Sequence, residues 1–375
     1  MEFERGAVED LEMNPEFWRG KRVLVTGHTG FKGSWLALWL QSLQARVTGY
    51  SLPPPTEPSL FALARVANGM ESIEGDILDV VRFQRLVREI EPEVVIHMAA
   101  QALVRRSYAD PLATYATNVM GTAHVLEALR DVASVRSVVV ITTDKCYENL
   151  AELKAYRETD KLGGDDPYSS SKAAAEMVTA AYRKSFFAAK GQSVRVGVAT
   201  ARAGNLIGGG DWAEDRIIPD VVRAVVENRE LLVRNPGAVR PWQHVIDPLC
   251  GYLTLAEKVW QEPERFAGAW NFGPDETETW SVTDVLGLLR ELWGREVKWR
   301  VDESSQPHES RYLKLDCSKA RTELGWEPAW DLKNALAATV SWFKAYQHGE
   351  DLRQITLEQL RSYQRAVRVP ETVRT

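Results

Sequence analysis

A phenol and an ammonium four residues apart, Tyr168 and Lys172 in Tyr-Ser-Ser-Ser-Lys, are the residues of this chain best placed to do chemistry. On a helix the two share a face. A free tyrosine titrates near pH ~10 and accepts protons poorly at neutrality, whereas a neighbouring cation favours the phenolate and moves its pKa toward the working range. The pair is a candidate general base, although the same spacing is ordinary on a helix surface. A second pattern gives it weight. Gly27, Gly30 and Gly33 stand in Thr26-Gly27-His28-Thr29-Gly30-Phe31-Lys32-Gly33, directly after the apolar run Val23 to Val25. In the order strand, turn, helix, such glycines permit a tight turn and let a pyrophosphate approach the positive end of a helix dipole. The plain alternative is three glycines in an ordinary βα loop. Turn and pair together predict a dinucleotide-dependent redox enzyme.

Those residues need a frame. From Lys21 to about Thr200, short apolar runs alternate with helical patterns, the rhythm of a parallel sheet covered on both faces. The expected strands are 22–26, 46–50, 71–74, 93–98, 136–142 and 193–200, with amphipathic helices over 34–43, 80–90, 111–132 and 170–188. Trp35 and Trp39 read as core. Past Ala201 the pattern loosens into the glycine-rich loop Gly204 to Asp211. Helices over 217–228, 249–260, 281–293 and 331–347 follow, with strands over 231–234, 269–272 and 296–301. The fold class expected is α/β, a Rossmann-type doubly wound parallel sheet with a smaller α/β C-terminal substrate lobe. Its divisions are an acidic leader (1–16), an NAD-binding Rossmann domain (17–200), a lobe that returns in places to the first domain (201–348), and a peripheral tail (349–375) with one weak helical segment over 356–367.

Composition narrows the partners. The 375 residues are 45% hydrophobic and 26% charged, and the net charge of -6 argues against nucleic acid or an acidic membrane surface. Cys146, Cys250 and Cys317 are widely spaced, with no CxxC and no histidine at metal-ligand spacing, so no disulfide framework and no metal site is expected. Glu2, Glu4, Glu9, Asp10 and Glu12 occupy the segment where a signal peptide would be basic and then apolar, and no run approaches the ~18 apolar residues of a membrane span. A reducing, cytoplasmic setting is the simplest expectation.

The second strand ends Gly49-Tyr50-Ser51-Leu52, without the carboxylate that ordinarily holds an adenosine ribose. Lys32 or Arg46 is the nearest candidate cation for a 2′-phosphate, and NAD is the preferred cofactor. Asp76 and Ile77 follow the third strand, where the aspartate could meet the adenine edge or cap a helix. The fourth strand ends His97-Met98-Ala99-Ala100. Its small residues suit passage under a dinucleotide, and His97 can equally be a buried histidine.

The turn, His97-Met98-Ala99-Ala100 and the Tyr168/Lys172 pair, in that order, resemble the extended short-chain dehydrogenase/reductase superfamily. Longer blocks are similar to its CDP-glucose 4,6-dehydratase branch: Thr26 to Gly33, Thr142 to Asn149, Arg202 to Trp212, and Asn235 to His244. The resemblance runs from about Phe17 to Gln347. It implies conversion of CDP-D-glucose to the 4-keto-6-deoxy sugar and water, with NAD as internal redox cofactor, and a homo-oligomer, dimer or tetramer, formed through helices 111–132 and 170–188.

By the same resemblance Tyr168 takes the 4-hydroxyl proton, Lys172 holds the phenolate and the nicotinamide ribose, and Thr143 bonds the same oxygen. Thr143 can also be a mere strand-end threonine. Asp144 is the expected acid for the 6-hydroxyl, and Lys145 the C5 base or an electrostatic partner to Asp144. Gly27, Thr29, Gly30, Phe31, Lys32, Gly33, Asp76, Ile77, Met98, Ala99 and Ala100 are the cofactor set. Asn205, Arg216, Arg240, Asn271, His308 and Arg311 are the substrate set, with Asn271 equally able to cap a strand. A nucleotide-sugar 4-epimerase, a dehydratase of another nucleotide sugar, and a non-catalytic NAD sensor stay open as alternatives.

Overall fold

A computed structural model describes residues 14–149, 154–187, 195–275, 280–302 and 313–367. Seven parallel strands form the central sheet: β1 (Arg22–Thr26), β2 (Arg46–Ser51), β3 (Glu71–Glu74), β4 (Val94–His97), β5 (Ser137–Ile141), β6 (Gly197–Ala203) and β7 (Gly268–Phe272). Their spatial order is β7-β6-β5-β4-β1-β2-β3, with β1 paired to both β2 and β4. The order reverses between β1 and β4. A crevice opens there beyond the carboxyl ends of the strands, the usual ligand site of a doubly wound sheet.

The alternation of strand side chains explains why these runs are apolar throughout. Val23 and Val25 enter one core and Leu24 the other, as do Val139 and Ile141 against Val138 and Val140. Both faces are covered by helices, so neither set can be polar. On one face lies α1 (Phe31–Ser42), whose residues Gly33 to Leu40 are all buried. On the other lie α2 (Val80–Ile90) and α5 (Gly121–Leu129). Between β4 and β5 the chain also forms α3 (Val104–Ala109) and α4 (Pro111–Tyr115). The single helix expected over 111–132 is broken by a π turn, Ala116–Met120. That turn directs Asn118 inward to bond both backbone groups of Gln101 and the Ser171 hydroxyl.

After β5 comes α6 (Pro167–Tyr182), and after β6 come α7 (Ile217–Val226) and α8 (Ile246–Gln261). The chain then re-enters the sheet as β7, which runs parallel to β6. Short paired strands (Leu231–Val233 with Trp299–Val301, Val239–Arg240 with Trp280–Ser281) and α9 (Val282–Trp293) build a smaller body beside the crevice. α10 (Leu332–Gln347) precedes a difference from the sequence reading. The segment expected as a peripheral tail contains α11 (Leu352–Val367), with Leu360 and Tyr363 fully buried and Tyr363 against Trp39 of α1. Arg353 fixes it further, donating to the carbonyls of Ala64, Arg65 and Asn68 and to Gln41. α1 is buried all round because α11 covers the side turned away from the sheet, so an amphipathic pattern is the wrong expectation for it.

Candidate active site

The turn after β1 is shaped by contacts that exclude side chains. Gly27 has φ +78, and a Cβ there would lie 2.7 Å from the Ala99 nitrogen. At Gly33 a Cβ would sit 2.1 Å from the Gly27 carbonyl oxygen, whereas Gly30 meets nothing closer than 3.4 Å. Gly27 and Gly33 are therefore sterically required and Gly30 is not. Gly30 caps α1 without a side chain, so the helix presents uncapped amides to the crevice. This cradle, which a Cβ would fill, fits a dinucleotide pyrophosphate. Across it, Thr26 Oγ1 accepts from the amides of Met98 and Ala99, fastening the ends of β1 and β4 together. His97 lies fully inside, between Thr26 and Thr122, and burial holds its pKa down at about 3, so it is a neutral structural histidine.

At the adenosine end Thr29 bonds the Ser51 hydroxyl and the Leu52 carbonyl. Asp76 accepts from the Leu78 amide, a local turn contact, and Ile77 is buried against Gly121. Ala100 lies half-buried just beyond. Neither cation considered for a 2′-phosphate reaches this corner. Lys32 points into the reaction cavity beside Tyr168, and Arg46 begins β2 at the opposite end of the strand from Ser51. His28, which the sequence reading passed over, is fully buried, bonded to Ser72 and packed where Gly49 leaves room for its ring.

Tyr168 is positioned by the start of α6. Asp166 caps the helix through the Ser169 amide, Pro167 takes its first turn, and the Tyr168 amide donates to Ser107. Tyr168 is 8% exposed and Lys172 6%. Thr143, at the end of β5, hydrogen-bonds the Tyr168 phenol. Phe31, Lys32, Thr143, Asp144, Lys145 and Tyr168 line one cavity.

The protonation pattern corrects the expectation that Lys172 lowers the tyrosine. Burial pushes Tyr168 up to about 12, with Asp144 adding to the rise and Thr143 and Arg216 opposing it. Lys172 instead donates to the Ile141 carbonyl at 3.1 Å. Burial brings its own pKa down to about 8, against the pull of Glu176. That carboxylate, one turn further along α6, is buried with Arg202 of β6 in a closed network. Thr142, Thr200 and two Arg202 nitrogens all donate to it. Glu176 extends the Tyr168/Lys172 spacing by four residues, the signal by which the sequence could have revealed it.

Asp144 is nearly fully buried, its Oδ1 accepting from Thr143 at 3.0 Å. Its Oδ2 has no hydrogen-bond partner among the described residues and faces Gly204, where a Cβ would come within 2.9 Å. Asn205, Arg216 and Arg240 share the cavity wall. Arg216 is held by Asp211 at 2.9 Å, and Arg240 is buried beside its own strand. Asn271 does not join them. It is fully buried on β7, accepting from Tyr147 and donating to the carbonyls of Tyr156 and Asp316, which occupies its amide completely. His308 and Arg311 lie outside the described residues. Arg105 and Arg234, absent from the sequence expectations, also line the cavity, each facing Asp215.

Among the described residues no group of three or more His, Cys, Asp or Glu could hold a metal ion, and no helix is long and apolar enough to cross a membrane.

Comparison with known proteins agrees with this geometry. A family model described as GDP-mannose 4,6 dehydratase matches residues 24–339. A CDP-glucose 4,6-dehydratase of Salmonella typhimurium is 48% identical, with 94% of this chain and 99% of that protein aligned. A dTDP-glucose 4,6-dehydratase of Streptomyces antibioticus is 31% identical, over 86% of this chain and 92% of the relative. Among solved structures, the dTDP-glucose 4,6-dehydratase of Streptomyces venezuelae with NAD bound superposes at a TM-score of 0.75 and 25% identity, covering 88% of this chain and 99% of that one. A UDP-glucose 4-epimerase of Thermotoga maritima gives the same TM-score at 23% identity, over 87% and 99%, and so speaks to the fold alone. The chain belongs to the GDP-mannose 4,6 dehydratase family, nucleotide-sugar dehydratases of the extended short-chain dehydrogenase/reductase superfamily.

Proposed function

We propose that the protein converts CDP-D-glucose to CDP-4-keto-6-deoxy-D-glucose and water, with NAD as a cofactor that ends each turnover unchanged. The observation that carries the dehydratase chemistry is Asp144: a buried carboxyl in the cavity wall with Tyr168 and Thr143, whose Oδ2 has no hydrogen-bond partner among the described residues. An oxidation at C4 alone would need no such group. The choice of cytidine rests on the relative that is 48% identical across nearly the whole chain.

NAD, held on the Gly27–Gly33 turn and the uncapped start of α1, would supply an acceptor for the C4 hydride and a donor of it to C6, so that the overall reaction is loss of water. The residues do the rest. Tyr168 removes the 4-hydroxyl proton, Thr143 holds the same oxygen, Thr143 and Arg216 favour the phenolate, and Lys172 would hold the nicotinamide ribose. The C4 ketone acidifies C5, whose proton we assign to Lys145. Asp144 protonates the departing 6-hydroxyl, and the proton taken at C5 is restored there once C6 is reduced. Arg240 and Arg216 meet the diphosphate, with Asn205 nearer the sugar.

We further propose a homodimer through α4, α6 and the π turn between α4 and α5, where Leu112 (81% exposed), Met177 (63%) and Met120 (52%) form an apolar face. None of the three cysteines is in a disulfide, which supports a cytoplasmic setting.

The test is a substrate panel of CDP-glucose, UDP-glucose, dTDP-glucose and GDP-mannose, with and without added NAD, read by the alkaline absorbance of 4-keto-6-deoxy product. Product from CDP-glucose well ahead of the others is expected. Product from none of them overturns the function, and a monomer by light scattering overturns the dimer.

A further inference from the structure

Lys32 does something its place in a dinucleotide turn does not require. Its backbone belongs to the first turn of α1, but its side chain lines the reaction cavity. The charged groups around it come from three other elements. α6 brings Lys172, the start of α7 brings Arg216 with its partner Asp211, and the turn after β5 brings Asp144, with Lys145 in the same wall. Lys172 and Arg216 disfavour the Lys32 charge and Asp144 alone favours it. Among the described residues, no acceptor or carboxylate lies within bonding distance of its ammonium. An unpartnered lysine that feels two cations, Lys172 and Arg216, against one carboxylate, Asp144, and stands at the mouth of an uncapped helix, is arranged to meet an anion.

We propose that Lys32 is a titrating contact for the diphosphate of a bound nucleotide, taking up a proton as the diphosphate enters and then holding it as an ammonium. The proposal rests on the nucleotide-sugar reading. Two sources carry this chemistry, the dinucleotide and the nucleotide sugar, and both pass this point. Burial, reinforced by Lys172 and Arg216, holds the free side chain down at about 7, so at pH 8 most of it is neutral. A diphosphate brings negative charge within contact distance and restores the charged form. An arginine here would stay charged at every pH and bind without any proton.

The experiment is calorimetric titration of the full chain with NAD in one arm and CDP in the other, in two buffers of different ionisation enthalpy, at pH 8 and pH 6. At pH 8 one ligand should bind with uptake of about 0.5–1 proton, falling toward zero at pH 6. Lys32→Met should abolish the uptake and weaken that ligand roughly 10- to 100-fold, the worth of one charge-assisted hydrogen bond. Lys32→Arg should restore affinity without uptake. Lys172→Met should reduce the uptake without abolishing it, since burial, the larger cause, still holds Lys32 down once that cation is gone. Uptake retained in Lys32→Met, or absent from the wild type with both ligands, overturns the proposal. The nucleotide-sugar reading fails separately, by absence of product in the substrate panel; if neither NAD nor CDP binds, both fall.

Discussion

Replacing Glu176 by glutamine tests whether the network beneath Lys172 governs both stability and catalysis. Glu176 and Arg202 have side chains only 4% and 3% exposed, so solvent screens neither charge. Four donors converge on the carboxylate, and a glutamine amide would turn N–H groups toward two of them. The substitution leaves the Arg202 guanidinium buried without its counter-charge, a loss on the order of 3–5 kcal/mol. Burial alone would raise the Glu176 carboxyl, but Arg202 and the hydrogen bonds from Arg202, Thr142 and Thr200 outweigh it and leave it below the ordinary glutamate value. A depressed acid contributes stability above its unfolded pKa and loses it as pH falls through the folded one, so the gap between wild type and mutant should narrow in acid. Catalysis supplies a second readout. Glu176 holds up the pKa of Lys172, now about 8, and without it the ammonium is lost at lower pH. The alkaline limb of kcat/KM should therefore move to lower pH. Urea unfolding at neutral pH and a pH–rate profile measure the two effects. The double variant Glu176→Leu/Arg202→Met separates them, because an apolar pair can recover the stability and cannot recover the alkaline limb. A single-variant loss below about 1 kcal/mol, or an unmoved alkaline limb, would refute the reasoning.

Tyr168→Phe should lower kcat by roughly 10²- to 10⁴-fold while NAD and CDP still bind, as a missing proton acceptor requires; near-normal turnover would remove Tyr168 from the chemistry. Asp144→Asn should leave C4 oxidation working and stall the loss of water, so that reduced nicotinamide absorbance accumulates in a single turnover. No accumulation with both steps equally slow would count against Asp144 as the acid. Asp247 is fully buried at the start of α8, accepts from the Ala329 amide, and is pushed up to about 7 chiefly by burial. A raised acid costs stability as pH climbs from its unfolded pKa through the folded one, so Asp247→Asn should gain on wild type by about 2–3 kcal/mol between pH 5 and pH 8 in denaturant unfolding. A gap that does not change with pH contradicts that burial argument.

Much of the frame was legible because strands buried on both faces must be apolar without interruption. Val23 to Val25, Val94 to Ile96 and Val138 to Ile141 read as strands for that reason. The order of the glycine turn and Tyr168/Lys172 was also local information. What escaped depends on residues distant in the chain. Asn271 looks like a substrate contact until Tyr147, Tyr156 and Asp316 are seen to consume its amide. The direction of the Tyr168 shift depends on how much protein surrounds the phenol, which spacing to Lys172 does not express. α11 hides its buried strip, Leu352, Thr356, Leu360 and Tyr363, in an otherwise charged helix, so its pattern reads as solvent-facing. Lys32 reads from the turn as a candidate for a 2′-phosphate, because a glycine motif says nothing about where the one long side chain within it extends.

The docking of α11 on α1 has a consequence for biosynthesis. Arg353 bonds Gln41 across 312 positions of sequence, and Tyr363 closes over Trp39. A ribosome delivers the glycine turn and its helix first, and the surface that shelters their tryptophans emerges some 312 residues later. Until then the nascent chain carries an open apolar flank on that helix, even after the seventh strand has joined the sheet, a state in which chaperone capture competes with misassembly.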